Sequence, residues 1–253
     1  MCTASWINDA EGYHLFFNRD EKLTRKRGVA PRILWRNGIR YVAPEDGDFN
    51  GTWIAVNEFG ISVCLLNGAI VTGSTQCPAG AKSRGLLIPE VITGETAASI
   101  CSRMLKLDLS EFSPFTMAVL EPGQAAAVME WTGAETNFAA FGDRCMPLTS
   151  SSFHPHSVCA WRRQGFEKLF RVAGPMSADV LRSWHSSHDP APGPYSICMH
   201  REDARTVSFT TIRVAQREAT VQYHPGAPCE MPEASITVLQ LTPSDQTSVN
   251  ASI

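Results

Sequence analysis

Nothing in the 253 residues is a run of eighteen apolar positions, so no transmembrane helix is expected. The opening residues lack the uninterrupted apolar core of a secretory signal, because Asp9 and Glu11 break it. There is no dominant basic stretch. The densest, residues 22–27, is short and reads as a solvated loop after a strand. With a formal charge of −3, the chain offers no evident surface for nucleic acid. None of the eight cysteines forms a C-x-x-C pair, and no H-E-x-x-H occurs. Scattered thiols of this kind fit a reduced, cytoplasmic protein better than a disulfide framework. Internal repeats are missing too, and the one biased segment is a polar C-terminal tail at 243–253. What is present is an ordinary apolar share of 43%, enough for a substantial core.

The most informative stretch is the first twenty-one residues. Met1-Cys2-Thr3-Ala4-Ser5-Trp6-Ile7 and Tyr13-His14-Leu15-Phe16-Phe17-Asn18-Arg19 flank a polar cluster ending in Gly12. Two short apolar runs around such a cluster predict two antiparallel strands and a turn. A turn at residues 9–12 places Cys2 opposite Arg19, unless a bulge shifts the register. Cys2 is small, and the initiator Met is commonly removed before such a residue. Its thiol and its α-amine would then lie on one residue. An α-amine has an unperturbed pKa of about 7.7–8.0 and so supplies a base near neutrality. A thiol needs such a base or a nearby cation to become a thiolate. Arg19 would be that cation, and Asp20 would orient the amine or the guanidinium. Residue types alone favour an incidental Cys2 and a solvated Arg19-Asp20-Glu21 cluster.

Further along, residues 33–35 and 39–43 flank Asn37-Gly38 and predict a hairpin near the site mouth. A second hairpin runs through 53–56 and 61–67. With its turn at residues 57–60, Asn67 faces Asn50. Asn67-Gly68 ends the strand, where a side-chain amide and a backbone N–H can reach a bound carbonyl, although the pair is also a common turn dipeptide. Residues 83–89 open a helical region. Residues 96–107 carry Ala97, Ile100, Cys101, Met104 and Leu105 at helical spacing. A further hairpin spans 115–120 and 125–131. Phe141-Gly142-Asp143 then leads into Pro147-Leu148-Thr149-Ser150. Helices are expected at 157–172 and 177–186, the second capped by Ser177. Strands are expected at 195–200, 206–214 and 219–223. His154-x-His156 and His185-x-x-His188 lack accompanying ligands in sequence, so no metal site is assigned. His200, at a strand end, reads as structural. Strands between helices at this spacing predict an α+β arrangement of antiparallel sheets.

Met1-Cys2-Thr3, Asn18-Arg19-Asp20-Glu21 and Gly51-Thr52-Trp53 resemble the NRDE, or transport and Golgi organisation, family. The opening is also similar to choloylglycine hydrolases and penicillin V acylases, which share the N-terminal-nucleophile (Ntn) hydrolase class. The run Asn57-Glu58-x-Gly60 to Leu66-Asn67 is similar to the bile-salt enzymes as well. The resemblance implies a four-layer αββα sandwich of two antiparallel sheets, forming one domain over 1–253 with its short tail. It implies Cys2 as nucleophile, with Arg19, Asp20 and Asn67 completing the catalytic set. In the bile-salt enzymes the Asp comes three residues after the Arg, where this chain has Lys22. Gly68 is a weaker oxyanion contact. Ser150 stands where relatives carry an oxyanion Asn and is a weaker oxyanion candidate. Arg205-Thr206 loosely resembles a Thr-Arg-x-x-Thr element, in which Arg205 would hold a substrate carboxylate or support the thiolate.

The resulting expectation is an N-terminal cysteine amidohydrolase or acylase. It would cleave an amide or related acyl bond of a small acylated substrate through an acyl-thioester on Cys2, with no cofactor or metal. Acyl transfer uses the same residues. The alternative is a non-catalytic binding or trafficking protein for a lipid, acyl or haem-type ligand. Assembly as a homo-oligomer is left open.

Overall fold

Side-chain alternation along two hydrogen-bonded strands sets the architecture. In the computed structural model, which describes residues 2–68, 80–141 and 147–242, β1 (Cys2–Asn8) and β2 (Tyr13–Lys22) form the expected hairpin. Removal of Met1, the link through Gly142 and Asp143, and the tail at 243–253 lie outside the described residues. The turn is held by Asp9 Oδ1, which accepts from the N–H groups of Glu11 and Gly12 at 2.8 and 2.9 Å. This is the side-chain mimicry that makes Asp a turn residue. The register that follows pairs Cys2 with Arg19, without a bulge.

The remaining strands are β3 (Val29–Arg36), β4 (Ile39–Glu45), β5 (Ile54–Asn57), β6 (Ser62–Asn67), β7 (Phe115–Leu120), β8 (Ala126–Trp131), β9 (Thr136–Phe141), β10 (Leu148–Ser150), β11 (Ala204–Val214), β12 (Glu218–His224) and β13 (Ser235–Gln240). The helices are α1 (Leu87–Val91), α2 (Ala97–Met104), α3 (Pro155–Ala173) and α4 (Ala178–His185). Among the described residues one antiparallel sheet runs β10-β1-β2-β11-β12-β13 and the other runs β3 to β9 in sequence order.

Leu15 and Phe17 of β2 face the second sheet and pack with Ile54, Val56, Cys64 and Leu66. Phe16 points the other way, against Phe166 of α3 and Leu181 and Trp184 of α4. The outer face of the second sheet, with Val63, Leu65 and Met117, is covered by Leu87, Ile88, Ile100 and Met104 of α1 and α2. The layers are therefore helix, sheet, sheet, helix, the αββα sandwich. Burial on both faces explains the continuous apolar runs in β5 to β7.

Four local expectations need correction. Ile54 pairs with Cys64 and Val56 with Ser62, so the β5–β6 register is one residue away from the one that set Asn67 opposite Asn50. The cause is Asn57, whose Oδ1 accepts from Phe59 and Ile61 N–H and lengthens the turn to Ile61. Residues 195–200 do not form a strand. They are irregular apart from an isolated bridge between His200 and Arg205. The Asn37-Gly38 turn forms as expected, with φ of 51° and 80°, but the cavity described below is reached by Asp46 and Phe49, beyond β4. Strands β9, β10 and β13 were not anticipated. All three are edge strands; β10 has only three residues, and β9 and β13 carry exposed side chains such as Phe138 and Ile236.

The two sheets are joined by a buried polar contact. Tyr13 Oη donates to the Gly60 carbonyl at 2.9 Å and lies 2.7 Å from Ser62 Oγ. Tyr13→Phe leaves that carbonyl short of a partner. It should lower unfolding free energy by about 1–3 kcal/mol in urea titrations, with an unchanged denaturant slope.

Candidate active site

Because Cys2 and Arg19 are directly paired, their side chains leave the same face of the sheet, at its open end. They line a cavity of about 300 Å³ together with Asn67, Trp53 and Arg84. Arg19 is buried, at 4% exposure. Its guanidinium lies 4.2 Å over the Trp53 ring, and Nη2 donates to Asp46 Oδ2 at 2.5 Å. Asp46 is shared with Arg25, whose Nε also reaches Asp48 at 2.7 Å. Arg19 thus presents a fixed, partly neutralised positive charge. Gly51 lets this wall close: a Cβ there would sit 2.5 Å from the Gly85 carbonyl carbon, and Thr52 N–H donates to Gly85 O at 2.9 Å.

Asp20 also borders the cavity, while its carboxylate reaches into a polar layer beneath the first sheet. Its Oδ1 accepts from Thr206 Oγ1 at 2.6 Å, and Oδ2 lies 3.6 Å from Arg162 Nη1, with both side chains fully buried. Arg162 is the residue the sequence reading missed. Its guanidinium donates to Thr3 Oγ1 at 2.9 Å, Thr149 Oγ1 at 3.3 Å and Ser196 O at 2.8 Å. It thereby ties α3 to β1, β10 and the 194–196 segment. The available signal was its place on the buried stripe Val158, Arg162 and Phe166. An Arg at such a position is retained only when its donors are satisfied.

The same layer holds His185. Asn18 Nδ2 donates to the carbonyls of His185 and Ile197, so Asn18 Oδ1 must accept from His185 Nδ1–H. His185 Nε2 is then the acceptor for the Ser5 hydroxyl, 2.8 Å away. Burial, with the Arg162 and Arg182 charges, holds this imidazole neutral and lowers its pKa to about 3. His185 is a structural residue.

Burial also pushes the Cys2 thiol up. Asp20 adds to the effect, while the Asp20 backbone N–H and the Arg19 guanidinium oppose it. Asp20 itself is raised by burial and pulled back by Arg162. Cys2 N–H donates to Ser150 Oγ at 3.0 Å, and Ser150 is the strand partner of Cys2. Ser150 therefore meets the nitrogen of Cys2.

Asn67 is exposed, at the end of β6, on a wall of the cavity that Cys2 lines. Two weaker candidates are placed otherwise. Gly68 N–H is used by Pro114 O at 2.9 Å, and the glycine allows that approach, since a Cβ would lie 2.7 Å from Phe115 N. Arg205 pairs with Glu230 at 3.2 Å and does not line the cavity.

The family model described as Transport and Golgi organisation 2 matches residues 1–189. The chain belongs to this family. It matched none of the curated protein sequences compared with it. Among solved structures it is similar to the Caenorhabditis elegans ortholog of N-acylethanolamine-hydrolyzing acid amidase, at 13% identity and a TM-score of 0.57, covering 84% of this chain and 92% of that one. Penicillin V acylase from Agrobacterium tumefaciens aligns at 13% identity and 0.55, over 95% and 86% of the two chains. A mutant conjugated bile acid hydrolase from Clostridium perfringens aligns at 9% and 0.55, over 96% and 97%. At these identities the likeness is one of fold. This family member shares their αββα sandwich, with Cys2 on its first strand.

Two outcomes follow from the polar layer. Arg162→Ala strands the Asp20 carboxylate in a dry site and should cost about 3–5 kcal/mol in urea unfolding at neutral pH. The folded pKa of His185 lies below the unfolded value, so its contribution is full above pH 6.5 and is lost as pH falls toward 3. Between pH 7 and pH 5 the wild type should lose about 2 kcal/mol through this group. His185→Gln should show a correspondingly flatter pH profile of unfolding free energy.

Proposed function

We propose that this protein is an N-terminal cysteine hydrolase of small acylated amides. The observation that carries the proposal is that Cys2, Arg19 and Asn67 line one cavity, with Cys2 and Arg19 locked in register. Once Met1 is removed, the nitrogen held by Ser150 Oγ becomes the α-amine of Cys2 itself. That amine takes the thiol proton as Sγ bonds to the substrate carbonyl carbon. The Asn67 carboxamide stabilises the resulting oxyanion, and Arg19 favours the thiolate. The C–N bond then breaks, and the proton held by the α-amine leaves with the amine product. Water, deprotonated by the same amine, attacks the acyl-thioester and frees the acid and the thiol. Asp20, anchored by Thr206 and Arg162, fixes the end of β2 beneath this chemistry. Acyl transfer replaces water by a second amine without changing any residue's role.

A second reading rests on the thiol. Burial holds Cys2 protonated in the Met1-bearing chain, which suits a binding or trafficking protein for a lipid, acyl or haem-type ligand. Intact mass separates the two. The hydrolase reading expects loss of Met1, and retained Met1 blocks the amine and overturns it. With N-acyl amino acids, N-acylethanolamines, penicillin V and bile-salt conjugates as substrates, Cys2→Ala should lower kcat by at least about a thousandfold. Asn67→Ala should lower it about a hundred- to a thousandfold, at little cost in stability. Equal rates in wild type and Cys2→Ala would dismiss the nucleophile.

A further inference from the structure

Away from the cavity, three segments that are distant in sequence converge on one point. His188 follows α4. Cys198 and His200 lie in the irregular segment before β11. Cys229 sits in the short 3-10 helix Pro228–Glu230. One ligand atom from each of the four lies within 4.8 Å of all the others. His200 Nε2 is 3.5 Å from Cys198 Sγ and 3.2 Å from Cys229 Sγ. The His188 and His200 rings meet edge-on at 5.0 Å. Both cysteines are free thiols.

We propose that His188, Cys198, His200 and Cys229 form a closed, four-coordinate zinc site. A tetrahedral zinc ion with bonds of about 2.3 Å to sulfur and 2.0–2.1 Å to nitrogen requires ligand atoms about 3.3–3.8 Å apart. The two separations from His200 Nε2 to sulfur, 3.5 and 3.2 Å, lie at or just below that range, and all pairs lie within 4.8 Å, so closure on an ion takes side-chain shifts of up to about 1 Å. The donor chemistry fits as well. Without an ion, one imidazole nitrogen faces two thiols, and His188 Nε2 is buried with no hydrogen-bond partner. An ion uses the lone pairs of both nitrogens. Binding releases one proton from each thiol, and two thiolates balance the +2 charge, leaving a neutral site suited to partial burial. All four positions are filled by protein, the pattern of a structural rather than a catalytic ion.

The place of the site gives it a task. Cys198 N–H donates to Ser187 O at 3.0 Å, and Met199 N–H donates to Thr206 Oγ1 at 2.9 Å. Thr206 is the residue that holds Asp20. The ion would pin the segment that supplies acceptors to Arg162 and backs the Asp20 end of β2. The proposal departs from the sequence-based expectation of no metal. That expectation rested on sequence spacing, which does not reveal ligands drawn from three segments.

The direct test is elemental analysis of the full-length wild-type chain purified without chelator under reducing conditions. The expected result is about one zinc per chain, falling at least about tenfold in Cys198→Ser/Cys229→Ser and in His188→Ala, and retained in Cys2→Ala. Circular dichroism of each variant distinguishes loss of ligand from loss of fold. Cobalt substitution of the wild type should give the thiolate charge-transfer and intense visible bands of a tetrahedral site. Wild-type protein that holds no zinc and takes none up on titration would overturn the proposal. So would zinc retained by the double cysteine variant, an intramolecular Cys198–Cys229 disulfide in the native mass, or stoichiometric binding of a different metal.

Discussion

The buried pairing of Asp20 with Arg162 is the contact around which the amino-terminal strands are organised. Two charges removed from water are costly unless their remaining groups are satisfied. Thr206 completes the carboxylate, and two threonines and several carbonyls complete the guanidinium. Meeting those demands fixes α3, β1, β10, β11 and the 194–196 segment relative to one another. Strand alternation does the rest. With Asp20 committed to the helix side, its neighbour Arg19 must face the cavity, and Cys2, paired with Arg19, faces it too.

In the proposed mechanism, the electrostatics around Cys2 divide into a cation, Arg19, and a base that depends on processing. Arg19 shares its charge with Asp46, and burial outweighs it, so the thiol is held protonated in the chain that begins at Met1. A nucleophile in this setting needs a proton acceptor at contact distance. In an Ntn arrangement that acceptor is the residue's own amine, and Ser150 already stands at hydrogen-bond distance from that nitrogen. Strand pairing with Cys2 aims the Ser150 hydroxyl at that nitrogen. The expected oxyanion role of this position was inferred from an Asn in relatives. The local geometry places its serine hydroxyl against the Cys2 nitrogen.

Legibility in sequence followed the range of the interactions. The β1–β2 register was readable because a four-residue turn fixed by Asp9 is a local device. The β5–β6 register was misjudged by one residue, because Asn57 bonds into its own turn and, through Nδ2, to the carbonyls of Ile92 and Gly94. That second attachment is tertiary. Arg162 was visible only as a charge on an apolar stripe, and its acceptors come from segments no pattern connects. The convergence of His188, Cys198, His200 and Cys229 is beyond spacing rules for the same reason. A layered α+β arrangement was legible from apolar runs covered on both sides, whereas the four-layer αββα sandwich followed only from the family resemblance.

The central claim is that Cys2 is a nucleophile carrying its own base, and it is tested most directly by trapping the acyl-enzyme. Wild-type protein is mixed with an activated N-acyl amide, quenched in acid, and the amino-terminal peptide is weighed. The account predicts a peptide that starts at Cys2 and carries the acyl mass, released by hydroxylamine as a thioester. An amino-terminal peptide that retains Met1, or one that starts at Cys2 and never gains acyl mass, would contradict it.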